Sequence, residues 1–160
     1  ASDQLRNDRE IAFAYVKKKG FSLQFCGEDL RNDRTVVMEA VRQNGAALEY
    51  ASTDLKQDSE IVLRAVTQSV EALPHASKEL YSDRDIMLAA VRQNGMMLEK
   101  ASSNLRNDRE LVLEAVRQHA RASRFAGREL LSDRKFVREA MELAGIDEKG
   151  RAEILKNAGP

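Results

Sequence analysis

Side chains able to do covalent or metal chemistry are few here: Cys26, His75 and His119 are the complete set of thiol and imidazole groups. A single thiol cannot form an internal disulfide. One Cys with two His falls short of a closed structural zinc site, which takes four protein ligands. His75 and His119 stand in different segments without matching partners and read as surface residues. Carboxylates are plentiful, and one set is strictly spaced: Asp8, Asp33, Asp58, Asp83, Asp108 and Asp133 recur every 25 residues. Such a set could hold a cation or share a proton, but only if its members converged on one point. Each instead falls in a polar stretch just before an apolar run, where a side-chain oxygen can accept from the open backbone N–H groups of a helix start. The recurrent Asp is therefore read as a helix cap. No glycine-rich phosphate loop, nucleophile elbow or calcium loop is present. Neither catalytic, cofactor-binding nor metal-binding residues are expected, and the chain reads as a non-enzyme.

The elements that carry these residues follow from the repeat. Leu5, Leu30, Leu55, Leu80, Leu105 and Leu130 keep the 25-residue spacing of the Asp set, as do Ile11, Val36, Ile61, Ile86, Leu111 and Phe136. Val16, Val41, Val66, Val91, Val116 and Met141 keep it too, and so do Tyr15, Ala40, Ala65, Ala90, Ala115 and Ala140. In one unit Asn107 or Asp108 caps a helix from Asp108 to Gln118, and Glu110 completes a capping box. Leu111, Val112, Ala115 and Val116 give that helix its buried face. Gly20, Gly45, Gly95 and Gly145 are expected to end it in the left-handed conformation, with distorted turns where Val70 and Ala120 take their place. A shorter second helix comes next, such as 46–52, buried through Leu23, Leu48, Leu73 and Leu98 with Cys26, Ala51, Ala76, Ala101 and Ala126. Cys26 in an alanine slot reads as a small core thiol. Helices this short are marginal alone, so identical hairpins must stack, each on its neighbours. The expected fold is all-α: an α-solenoid of six repeats over 1–145, with 1–4 as the tail of a preceding repeat, then a C-terminal cap helix and tail over 146–160. The opening in mid-repeat points either to a longer array or to a front removed by processing. Ile146, Ile154 and Leu155 give the cap its apolar side, although Leu155-Lys156-Asn157 echoes the start of another repeat.

Charge narrows the partners. The chain has 26 basic and 26 acidic residues, a net charge of zero, whereas a general nucleic-acid binder needs excess Lys and Arg to displace counterions. No apolar run approaches the roughly 20 residues that span a bilayer. The compartment stays open, the lone thiol tilting it towards a reducing, intracellular one. In a solenoid the repeated residues build the scaffold and the variable exposed ones recognise partners. Phe25, Tyr50 and Phe125, at one variable register, and Met96 and Met97, near another, are the candidate partner-binding residues, being of the types enriched at interface hot spots. Their bland alternative is to cover neighbouring repeats. The Arg/Gln pairs 42–43, 92–93 and 117–118 are read as a solvated face, with a contact ladder as the alternative.

The unit running from Leu80 to Ser102, with Val91-Arg92-Gln93-Asn94-Gly95 at its centre, and its counterpart from Leu30 to Ser52 resemble the repeats of domain of unknown function 4116. The resemblance covers about 1–145 and weakens at Val70, Pro74 and 120–124. It implies a tandem repeat and, since that family has no established activity, no site. The expected function is a protein-interaction scaffold or a structural subunit of a larger assembly. A nucleic-acid-binding helical repeat is the first alternative, and an enzyme or regulatory domain with an unrecognised site the second.

Overall fold

The computed structural model describes residues 8–156, leaving aside the side chains of 148 and 153–155. The described residues are helices and connecting turns with no strand. Contacts gather into two compact units, 1–80 and 81–160. The first holds the long helices α1 (Arg9–Lys18), α2 (Arg34–Gln43) and α3 (Ser59–Gln68). The second holds α4 (Arg84–Gln93), α5 (Arg109–Gln118), α6 (Arg134–Ala144) and a last helix, α7 (Glu148–Lys156). Within each unit consecutive long helices pack side by side, α1 on α2 and α2 on α3, α4 on α5 and α5 on α6. No described helix is long and apolar enough to cross a membrane.

The recurrent Asp starts the long helices α1 to α6. Asp58, in extended conformation, accepts from the backbone N–H groups of Glu60 and Ile61, both at 3.1 Å. Asp8, Asp33, Asp83 and Asp133 cap in the same way, and Asp108 accepts from the Leu111 N–H at 2.9 Å, a contribution of about 1 kcal/mol per helix. The apolar stripe then does most of the work. Ile61, Val62, Ala65 and Val66 are fully buried, and burying a side chain of valine or isoleucine size is worth about 1.5–3 kcal/mol. Each long helix from α1 to α5 stops because the next residue turns extended, as Asn44 does at φ −149° and ψ 110°.

The next element is a six-residue 3-10 helix, not a second α-helix: Gly20–Phe25, Gly45–Tyr50, Val70–His75, Gly95–Lys100 and Ala120–Phe125. Three residues per turn aligns positions three apart, so Gly45 and Leu48 fall together on the buried side, as do Gly95 and Leu98. The Asn44 side chain caps it, accepting from Ala46 N–H at 3.0 Å, and Asn94 caps its counterpart by the same bond to Met96. A third short helical turn carries the leucine anchor, for example Leu55–Gln57 and Leu105–Asn107. Leu30, Leu55 and Leu105 are buried there. Leu80 and Leu130 are only half-buried, and in the last repeat Leu131 takes the inner place. Leu5 lies outside the described residues, as do the side chains of Ile154 and Leu155 and the Asn157 of the echoed motif.

The glycines correct the expectation set for them. Gly145 alone among the described residues has positive φ, at 62°. Gly20, Gly45 and Gly95 are needed for close approach: a Cβ on any of them would collide with the carbonyl oxygen of Ala40, Ala65 or Ala115 in the following repeat. The turns at Val70 and Ala120 are not distorted either, since Ser69 and His119 leave their helices with the extended dihedrals of Asn44.

Candidate functional site

The bonds that join one repeat to the next decide which side chains remain for other tasks. A backbone bond ties each anchor turn to the one before. Ser52 N–H donates to Arg31 C=O and Ser77 N–H to Lys56 C=O, both at 2.9 Å, while Ser102 N–H donates to Tyr81 C=O at 3.0 Å. A second tie uses the other oxygen of the capping Asp. Asp33 Oδ1 caps α2, and its Oδ2 accepts from Arg9 Nε at 2.6 Å. Arg34 reaches Asp58 Oδ2 at 3.0 Å and also Glu60; Arg84 reaches Asp108 Oδ2 at 2.8 Å and Glu110 at 2.5 Å; Arg109 reaches Asp133 and Glu139. Glu110 thus binds the preceding repeat's arginine and does not close a capping box on its own helix.

These pairs set the electrostatics. The Arg9 guanidinium, with the backbone donors of Val36 and Thr35, holds the Asp33 carboxyl below its ordinary range. Partial burial pulls Asp58 upward, but Arg34 and the N–H groups of Ile61 and Glu60 outweigh it and leave it lowered. Arg84 lowers Asp108 in the same way as Arg9 lowers Asp33. The carboxylates are therefore engaged in capping and seating. Among the described residues no three of His, Cys, Asp or Glu come together in a metal-binding arrangement. Cys26 is half-buried, its thiol donating to Ser22 C=O at 3.7 Å. Burial raises its pKa against the weaker opposite pull of Arg31, which keeps the thiol protonated.

His119 does more than the sequence suggested. Its Nδ1 accepts from the Gly95 N–H at 3.2 Å, the place taken in the first unit by Gln68 Oε1, which accepts from Gly45 N–H at 2.5 Å. His75 is half-buried in the first unit.

The five candidate partner-binding residues separate into two groups. Phe25 is 67% exposed. Tyr50 is half-buried, its ring edge-on to Phe21 of the preceding repeat with centroids 6.2 Å apart. Phe125 is half-buried under the Arg124 guanidinium, 5.2 Å from its centroid, and Met96 and Met97 are half-buried as well. Three of the four largest exposed apolar side chains among the described residues belong to the first repeat: Phe25, Tyr15 at 62% and Phe21 at 41%, with Leu143 the fourth. Tyr15 was not among the candidates. Its signal is plain in the sequence, since it is the one large residue in a register of alanines.

A family model described as Domain of unknown function (DUF4116) matches residues 1–31, 8–56, 33–81, 83–131 and 109–147. No curated protein and no solved structure matches the chain.

Proposed function

Since the chain belongs to the family of domain of unknown function 4116, a tandem repeat matched five times along it, we propose that it is a non-enzymatic scaffold that binds other proteins. The observation that carries this is the surface of the first repeat. Tyr15, Phe21 and Phe25 project into solvent at 41–67% exposure, whereas Tyr50 and Phe125, at the register of Phe25, are half-buried. Aromatic side chains supply much of the binding energy at protein interfaces because they bury large rigid area at little entropic cost. Engagement of the recurrent carboxylates in caps and seating supports a structural role for them. Zero net charge favours a protein over a nucleic acid as the ligand.

The test is cross-linking of the full chain in its native extract, with the products identified by mass spectrometry. Scaffold function is expected to give repeated cross-links between a defined protein and the first repeat. Tight, salt-sensitive binding of single-stranded or duplex probes in a low-salt gel shift, with no protein cross-linked, would reverse the order of the two readings.

A further inference from the structure

The sequence Val-Arg-Gln-Asn-Gly occurs twice, at 41–45 and at 91–95, and the two copies fold alike. Asn44 and Asn94 both leave a long helix in extended conformation, at φ −149°, ψ 110° and at φ −148°, ψ 104°. Each side chain caps the following 3-10 helix, its Oδ1 accepting from Ala46 N–H or Met96 N–H at 3.0 Å. Both asparagines are half-buried and both glycines buried. The two sites differ in what holds the glycine nitrogen. Gly45 N–H donates to Gln68 Oε1 at 2.5 Å, and Gly95 N–H to His119 Nδ1 at 3.2 Å. Gln118 stands at the register of Gln68, yet the imidazole one residue further on takes the bond.

An Asn-Gly pair can react with itself. The glycine nitrogen attacks the asparagine amide carbon, and glycine has no side chain to hinder that approach. The step needs a base for the nitrogen's proton and a donor for the oxygen that gains charge. A neutral imidazole that accepts at Nδ1 carries its own proton on Nε2, so His119 is free to take the Gly95 proton. The amide oxygen of Gln68 is a very weak base and can only hold the proton of Gly45.

We propose that Asn94 is a self-modification site with His119 as its general base, and that Asn44, tied through Gln68, is preserved. As the Gly95 proton passes to His119 Nδ1, the Gly95 nitrogen bonds to Asn94 Cγ. Charge gathers on Asn94 Oδ1, where Met96 N–H donates. The tetrahedral carbon then expels its amide nitrogen, the imidazolium returns the proton to it, and ammonia departs from a cyclic imide. Water opens the imide at either carbonyl to give aspartate or isoaspartate, so the sum is asparagine plus water to aspartate plus ammonia. Ring closure requires Asn94 to turn from ψ 104°, and Asn44 faces the same turn from ψ 110°. That cost is common to the two sites, as is the donor to Oδ1. Only the base differs. The proposal is independent of the scaffold reading.

The experiment holds the folded full chain in warm neutral buffer beside two synthetic peptides, 43–56 and 93–100, which trypsin also releases after Arg42 and Arg92. Peptide mapping by mass spectrometry reads the conversion of amide to acid at each asparagine, and electron-transfer fragmentation separates isoaspartate from aspartate. In the folded chain, conversion at Asn94 is expected to run about tenfold or more ahead of Asn44, within the 10²–10⁴-fold that a positioned general base supplies. The two free peptides should react at similar rates. His119→Gln and His119→Leu should each bring Asn94 down to the rate of Asn44. The Leu variant separates a base from a restraint: loss of a restraint would speed conversion, whereas loss of a base slows it even as the Gly95 amide exchanges faster. The Gln variant keeps an acceptor of the kind found at position 68 and serves if Leu unfolds the chain. Equal rates at Asn94 and Asn44 in the folded chain overturn the proposal. So does conversion at Asn94 that fails to fall in either variant that circular dichroism shows to be folded.

Discussion

Gly45→Ala adds one methyl group where the 3-10 helix of the second repeat meets α3. At an unstrained position such a change stabilises by about 0.4–1 kcal/mol, because it restricts the unfolded chain. At Gly45 the methyl would overlap the Ala65 carbonyl oxygen and come within 3.0 Å of Gln68 Oε1. Both belong to the neighbouring repeat's helix, and the carbonyl is backbone that cannot swing aside. Overpacking of this kind costs about 1–3 kcal/mol. Moving the two backbones apart also stretches the 2.5 Å bond from Gly45 N–H to Gln68, and a buried donor left unpaired costs about 1–3 kcal/mol. After the unfolded-state gain, the net expectation is a loss of about 2–4 kcal/mol. At about 2–4 °C per kcal/mol for a chain of this length, the melting temperature should fall by roughly 4–16 °C. Gly45→Asn decides the cause. Asparagine tolerates positive φ, so a left-handed position would accept it better than alanine, whereas a crowded one would not. Gly145 is the control, with φ 62° and nothing within 4 Å of the place a Cβ would take: Asn there should cost less than Ala. Thermal unfolding measured by circular dichroism compares all four variants. If Gly45→Asn is milder than Gly45→Ala, close approach is not why glycine stands there.

Other perturbations address the remaining contacts. Gly95→Val should destabilise far more than Gln93→Ala, because Gly95 is buried against Ala115 C=O and Gln93 is exposed; the two melting temperatures compare them directly. Leu105→Ala should cost about 2–5 kcal/mol in urea unfolding, and Leu130→Ala clearly less, Leu105 being buried and Leu130 half-buried. His119→Leu should speed hydrogen exchange at the Gly95 amide, which loses its acceptor, while exchange at Gly45 stays unchanged. The lowered pKa values of Asp33, Asp58 and Asp108 mean that the unfolded chain binds protons first as pH falls. Their contribution is whole above the unfolded carboxyl value of about 3.9 and is lost as pH drops below it through the folded values. A urea midpoint measured against pH should hold steady above about pH 5 and decline below about pH 4. Arg84→Gln, which weakens the hold on Asp108, should make that decline shallower.

The long helices were legible because their signals are local. An Asp before an apolar stripe of period 3.6 means the same thing whatever packs against it, and Asp58 with Ile61, Val62, Ala65 and Val66 behaves as its sequence says. The capping box and the glycine turn, which came out differently, depend on a neighbour about 25 residues away. Glu110 lies close enough to Asn107 to suggest a capping box, and only stacking brings Arg84 to it. Gly45 comes after a helix, where a left-handed stop and a close approach both call for glycine. The register held a clue against the first: Val70 shares it, and a β-branched residue at positive φ is a strong outlier. The 3-10 helix was hidden because leucine and alanine three apart suit the buried side of either helix type.

Variation among exposed registers points to only part of the candidate surface, because it treats all repeats as alike. Phe25 and Tyr50 share a register, yet Phe21 covers Tyr50 while Phe25 stands 67% exposed. The more telling comparison runs through registers that are buried elsewhere. A tyrosine at position 65 or 115 would strike the backbone that approaches there, so such a residue is compatible only with a side that is seated differently. Lys18 and Lys19 carry the same information at the registers of Gln68 and His119, since an ammonium cannot accept the N–H those residues accept. Lys18 and Lys19 are well solvated where they stand, whereas the rings of Tyr15 and Phe25 hold apolar area in water.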